Sequence, residues 1–101
     1  MQILFYPTIF PKPLFDGTFY IKDQRLVGER HLKLMLQLPG SQFLLNAIAF
    51  NIDLENWPNQ SCDCVKIAYH MDVNIYQGRR RLQLIVEEIS ETKVHDYAYA
   101  E

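Results

Sequence analysis

Glycine, cysteine, histidine and long apolar runs are all scarce in this chain, and each scarcity removes a class of function. Only four glycines occur in 101 residues, and they are not gathered into the glycine-rich loop that cradles a nucleotide phosphate. A G-x-S-x-G elbow for a serine nucleophile is missing as well. The three histidines, His31, His70 and His95, stand far apart, and Asp16, Asp23, Asp53, Asp63 and Asp72 are scattered without the spacing of metal ligands. The two cysteines form Cys62-Asp63-Cys64. One intervening residue leaves almost no loop for a disulfide to close, and His70 alone is near enough to join a metal site. Free thiols are expected, with no catalytic residue, no metal site and no cofactor in this chain. No apolar stretch approaches the ~20 residues that span a bilayer, so no membrane partner is expected. The opening "MQILFYPTIFPKP" lacks a basic leader and is broken by Pro7, Pro11 and Pro13. It reads as a lead segment and not as a signal peptide, and a cytoplasmic location is expected.

What remains is ordinary globular material. Apolar residues make up 49% and charged residues 22%, enough for one domain with a single modest core. The net charge of −2 taken alone argues against a polyanion partner, but its distribution argues the other way. Residues 87–101 hold five acids against one base, Lys93, which leaves nine bases and seven acids in residues 1–86. Three of those bases are the consecutive Arg79, Arg80 and Arg81. A concentrated charge matters more than the total.

Period-two alternation recurs along the chain, whereas sustained helical periodicity does not. In "HLKLMLQL" Leu32, Leu34, Leu36 and Leu38 share a face, and in "VKIAYHMDV" Val65, Ile67, Tyr69, Met71 and Val73 do. In "RLQLIVEEI" the inward set is Leu82, Leu84 and Val86; Ile89 breaks the phase, so a bulge or the strand's end is expected there. A further strand runs from about Phe15 to Val27, with Phe15, Phe19 and Ile21 on one face. "FLLNAIAFN" is apolar on both faces, and Ala47 and Ala49 would suit a crowded interior. Gly28-Glu29 marks a tight hairpin, Pro39-Gly40 a turn, and Tyr76-Gln77-Gly78 a second hairpin. Only the third and fourth strands are separated by a long link, where Asp53 suits the N-cap of a helical turn through Trp57 and Pro58 would end it.

Five strands joined by hairpins, with one longer and partly helical link between strands three and four, suggest an all-β Greek-key barrel of the OB-fold. A small SH3-like barrel or an open α+β sheet also fits the pattern, and the helical link tips the choice. The expected organisation is a lead segment at 1–13, an OB-fold domain at 14–89 and an acidic tail at 90–101.

Barrels of this kind hold single-stranded nucleic acid on the face of strands two and three, rimmed by the loops joining strands one to two and four to five. Here the first rim carries Arg30 and His31, the face carries Lys33, and the second rim carries Tyr76, Arg79, Arg80 and Arg81. Alternation sends Arg79 and Arg81 to the side of Gln83 and Arg80 to the opposite side. Guanidinium suits phosphate through its planar donor fork, and Tyr76 or Phe43 offers a flat surface for an unstacked base. Tyr69, Phe50 and Trp57 default to packing. The bland alternative is that the arginines keep a hairpin soluble or balance Glu87 and Glu88. The residues alone leave the two readings level.

A resemblance shifts that balance. "PLFDGTF", "QRLVGERHLKLML", "AIAFNID", "WP" and "IAYHMDVNIYQGRRRLQLIVEEI" together resemble the C-terminal OB domain of the RecJ family of bacterial single-strand-specific exonucleases, over about residues 11–89. The resemblance implies enzymes that degrade single-stranded DNA from the 5′ end in recombination and repair. Their Asp-His-His core, which binds manganese or magnesium, has no counterpart in this chain. It implies a non-enzymatic module whose partners are single-stranded DNA, the nuclease core domains and other repair proteins. It places Arg30, His31 and Lys33 on the DNA side and Asn74, Tyr76, Arg79, Arg80 and Arg81 on the facing rim. Cations from two separate turns are thus expected to meet beside one groove.

Overall fold

The computed structural model describes residues 12–92; the lead segment as far as Pro11 and the tail from Lys93 lie outside the described residues. Five strands follow one another: β1 (Phe15–Val27), β2 (His31–Gln37), β3 (Leu44–Ala49), β4 (Cys64–Tyr76) and β5 (Arg79–Glu91). They close into a barrel in the order β1-β2-β3-β5-β4. Every neighbouring pair is antiparallel except β3 and β5, which run parallel. This is the architecture expected of an OB-fold.

The inward faces follow the alternation. Leu32, Leu34 and Leu36 of β2 are buried together with Val65 and Ile67 of β4 and Leu84 and Val86 of β5. Burying each large aliphatic side chain contributes roughly 1.5–3 kcal/mol. Ala47 and Ala49 face the same interior from β3, where small side chains let the facing leucines close in. Phe19 packs edge-on against Tyr69, with ring centroids 5.8 Å apart.

Six residues expected to pack are exposed instead: Phe15, Leu38, Phe50, Met71, Val73 and Leu82. Leu38 has already left β2 for the turn whose Ser41 N–H donates to the Leu38 carbonyl. For Met71, Val73 and Leu82 the cause is strand length. β1 pairs with β4 only as far as Tyr69, and β3 pairs with β5 only from Gln83. Beyond those points β4 and β5 continue as a two-stranded arm whose inward phase has no opposite wall. Phe15, at the start of β1, lies against Tyr69 at 5.8 Å.

Two bulges reset the alternation. In β5, Val86 faces Tyr69 and Glu88 faces Ala68, so Glu87 is the extra residue. The slip returns Ile89 to the side of Ile67, which accounts for the phase break seen there. In β1 the extra residue is Lys22, and the slip carries Gln24 inward to 6% exposure. The Gln24 amide donates to the Asn59 carbonyl (2.6 Å) and accepts from the Asn59 N–H (2.9 Å). A buried polar side chain is thereby satisfied and the β3–β4 link is tied to β1.

The helical part of that link is absent. Asp53 does act as a cap: its Oδ1 accepts from the Glu55 N–H at 3.0 Å and its carbonyl from the Trp57 N–H at 2.9 Å. One turn is all that forms, because Pro58 follows Trp57 directly and cannot continue a helix. Trp57 is buried over the end of the barrel with Ile52 packed beside it. The β1–β2 turn spans three residues, Gly28 to Arg30, since Val27 still pairs with His31. At the β4–β5 tip, Gln77 (φ 52°) and Gly78 (φ 78°) are both left-handed, as a two-residue type I′ hairpin requires.

Cys62 and Cys64 are free and buried. The Cys62 thiol donates to the Cys64 carbonyl at 3.2 Å, and burial pushes both thiols above their ordinary value. Neither offers a thiolate.

Candidate nucleic-acid interface

The outward residues of β2, β3, β5 and β4 form cross-strand rungs. Lys33, Ile48, Ile85 and His70 make one; Met35, Asn46, Gln83 and Asp72 make the next; Arg81 stands opposite Asn74 one rung further towards the arm. Where the arm leaves the barrel, a groove of about 320 Å³ is lined by Lys33, Asn46, Asn74, Arg81, Leu82 and Gln83. Two cations, three side-chain amides and no carboxylate line it. Amides and guanidinium supply several donors with little competing charge, the chemistry that holds phosphate and base edges. The nearest acid on this face is Asp72, opposite Gln83, and Lys12 offsets it at 4.0 Å. His70 Nδ1 lies 3.1 Å from the Glu87 carboxylate further along.

The residues singled out in the sequence fall into three groups. Lys33, Asn74 and Arg81 come together in the groove. Arg79 and Arg80 are exposed at the arm's tip, paired with Tyr76 and Ile75, and alternation puts Arg80 on the face away from Arg81. Of Tyr76 only the backbone is described; its side chain lies outside the described residues. Arg30 and His31 are elsewhere. Because β3 and β5 run parallel, the β1–β2 turn adjoins the Ala49–Val86 end of the face and the arm adjoins its Asn46–Gln83 end. The two turns bracket the face lengthwise and do not meet, so the convergence is between Lys33 and Arg81. His31 is also engaged locally: its Nδ1 accepts from the Asn51 N–H at 3.2 Å, and its ring meets Phe50 edge-on at 5.2 Å.

Asn46 and Gln83 complete the groove and were not among the candidates. Asn46 is the one polar residue inside "FLLNAIAF", and that break in an apolar run marks the outward side of β3. Phe43, 75% exposed just before β3, is open to contact. Among the described residues no three of His, Cys, Asp and Glu lie close enough to hold a metal ion.

The family described as RecJ OB domain matches residues 7–88. The chain belongs to that family. Among its relatives, the single-stranded-DNA-specific exonuclease RecJ of Salmonella typhimurium is 51% identical over 81 residues, 80% of this chain and 14% of that protein. The enzyme of the same name from Escherichia coli is 49% identical over 81 residues, with the same coverage of 80% and 14%. This RecJ OB domain therefore spans about 14% of the length of the curated relatives it matches. Among solved structures, RecJ of Thermus thermophilus with Mg2+ superposes with a TM-score of 0.57 at 19% identity, over 83% of this chain and 12% of that one. The SSB domain of a Synechococcus protein superposes with a TM-score of 0.56 at 13% identity, over 77% of this chain and 93% of that one. Both likenesses concern the fold.

Proposed function

We propose that this domain is the C-terminal, single-stranded-DNA-gripping module of a RecJ-type 5′-3′ exonuclease serving recombination and repair in the cytoplasm. The observation that carries the reading is the groove in which Lys33, Asn46, Asn74, Arg81 and Gln83 converge without a carboxylate. The relatives are exonucleases named for single-stranded DNA, and the groove lies on the face that OB-folds use for unpaired strands. In this reading the strand lies across β3 and β5. Lys33 and Arg81 hold its phosphates, and the amides meet sugar and base edges. Arg79 extends the cationic track along the arm, and Arg30 lies at the far end of the face. The chain holds DNA and does not cut it; manganese or magnesium serves the nuclease core of the parent enzyme.

The test is titration of a fluorescent oligonucleotide with the domain at several salt concentrations. Binding that is sequence-tolerant and weakens steeply with salt supports the reading, because each neutralised phosphate releases counterions. No binding at tens of micromolar protein in low salt rejects it, since non-specific affinities lie at roughly 10⁻⁴–10⁻⁶ M.

A second reading rests on the arm's other face. Met71, Val73, Ile75 and Leu82 form an exposed apolar row, Ile75 at 67% exposure, and a contiguous apolar surface of this kind marks a contact with protein. In that reading the arm packs on the nuclease core, and DNA contact is incidental.

A further inference from the structure

At the barrel end away from the arm, β5 outruns its neighbour. β3 stops pairing with β5 at Ala49 and Val86, while β5 continues to Glu91. Asn51 takes a left-handed φ of 53° and turns the chain aside. The Ile52 N–H then donates to the Arg30 carbonyl at 2.7 Å, which pins the departing chain to the β1–β2 turn. Among the described residues, Glu88 to Glu91 pair with β4 alone and the bulged Glu87 with neither strand, and their other edge borders a groove of about 420 Å³ closed by the β3–β4 link. Trp57 and Ile89 give this groove apolar walls. Asp53, Glu87, Glu88 and Glu91 line it, and no lysine or arginine does. Such a groove repels a nucleic acid backbone.

From this we infer a second binding site, for a protein. The edge of β5 from Glu88 to Glu91 takes an extended segment of a partner protein that alternates lysine or arginine with apolar residues. The segment adds as a strand in the place that β3 vacates. Beyond the Glu87 bulge the unpaired edge supplies main-chain donors and acceptors in register, and strand addition is an established mode of peptide capture. The carboxylates select cationic side chains through charge-assisted hydrogen bonds. The apolar residues of the incoming strand meet Trp57 and Ile89. This site lies at the opposite end of β5 from the Lys33–Arg81 groove, so it is independent of the nucleic-acid reading and both can be filled together.

The probe is the fluorescein-labelled heptapeptide KVKLKVK, followed by anisotropy against the intact domain. Its comparators are EVELEVE and a KVKLKVK methylated on alternate backbone nitrogens. Trp57 is the sole tryptophan and reports the unlabelled peptide by its emission. The lysine peptide is expected to bind at least tenfold more tightly than either comparator and to shift the Trp57 emission. The Glu88→Lys variant, its side chain being exposed, is expected to lose at least tenfold while its thermal midpoint and oligonucleotide affinity hold. Equal binding of the lysine and glutamate peptides overturns the proposal, as does indifference to backbone methylation or displacement of the peptide by oligo(dT). Dimerisation of the domain through this edge would assign it to a second copy and equally overturn it. The peptide comparison needs no variant, so a misfolded mutant leaves the test intact.

Discussion

Lys33 of β2 and Arg81 of β5 line one groove although their strands are not neighbours in the barrel; β3 lies between them. Asn46 supplies the intervening position, and its short side chain leaves the space that the two cations flank. The nucleic-acid reading depends on that relationship, more than on the length of the arginine run.

Replacing Lys33 and Arg81 together by alanine is therefore expected to weaken single-stranded DNA binding and to flatten its salt dependence. Each lost phosphate contact removes about 0.7 from the slope of log affinity against log salt, so the double variant should lose about 1.4. Fluorescence anisotropy across a salt series checks this, with Arg80→Ala as the comparison. Arg80 faces away from Arg81, and its removal should change the slope least of the three arginines.

Phe43→Ala tests whether the exposed ring just before β3 receives a base. Stacking of a base on an aromatic side chain is worth roughly 1–3 kcal/mol, so a loss of about 5- to 150-fold in oligonucleotide affinity is expected, with the salt slope unchanged. A loss confined to the slope would assign Phe43 no part in stacking.

Much of the barrel can be read from the sequence, because strand alternation and turn chemistry act locally. The five strands, the type I′ tip at Gln77-Gly78 and the small inward residues Ala47 and Ala49 all follow from neighbouring residues. Where each strand runs out of partners does not. Met71, Val73 and Leu82 carry the inward phase, and only the lengths of β1 and β3 reveal that nothing faces them. The same applies to the two turns: their separation follows from β3 and β5 being parallel, a non-local fact. Asp53 illustrates the opposite failure. Its capping chemistry is legible and its bonds form, but the pull of Trp57 into the barrel end and the proline behind it stop the helix after one turn.

The burial of Gln24 does not follow from alternation, since the Lys22 bulge carries it inward. Gln24→Ala is expected to cost about 1 kcal/mol, because the half-buried Asn59 N–H loses its partner while the Asn59 carbonyl still accepts from the Cys62 N–H at 3.1 Å. Urea unfolding followed by Trp57 fluorescence measures it. A change within about 0.5 kcal/mol, the scale of an ordinary surface substitution, would contradict the role assigned to the amide.

The buried thiols set an alkaline limit. Both Cys62 and Cys64 titrate above their ordinary 9.0, chiefly because burial disfavours the thiolate. Well below pH 9 the thiols are protonated whether the chain is folded or not, and their contribution is fully present. Above it the unfolded chain releases protons that the folded chain retains, so stability falls as pH rises through the folded values. A Cys62→Ala/Cys64→Ala variant should show a shallower alkaline decline in thermal midpoint, relative to its own midpoint at neutral pH, than the native chain.

The most direct test of the central claim is a map of backbone amide shifts on adding a short oligo(dT) to the labelled domain. Single-stranded DNA held between β2 and the arm should move Lys33, Asn46, Asn74, Arg81 and Gln83 together and leave Glu87 to Glu91 in place. Shifts confined to the acidic end, or spread evenly over the surface, would contradict it.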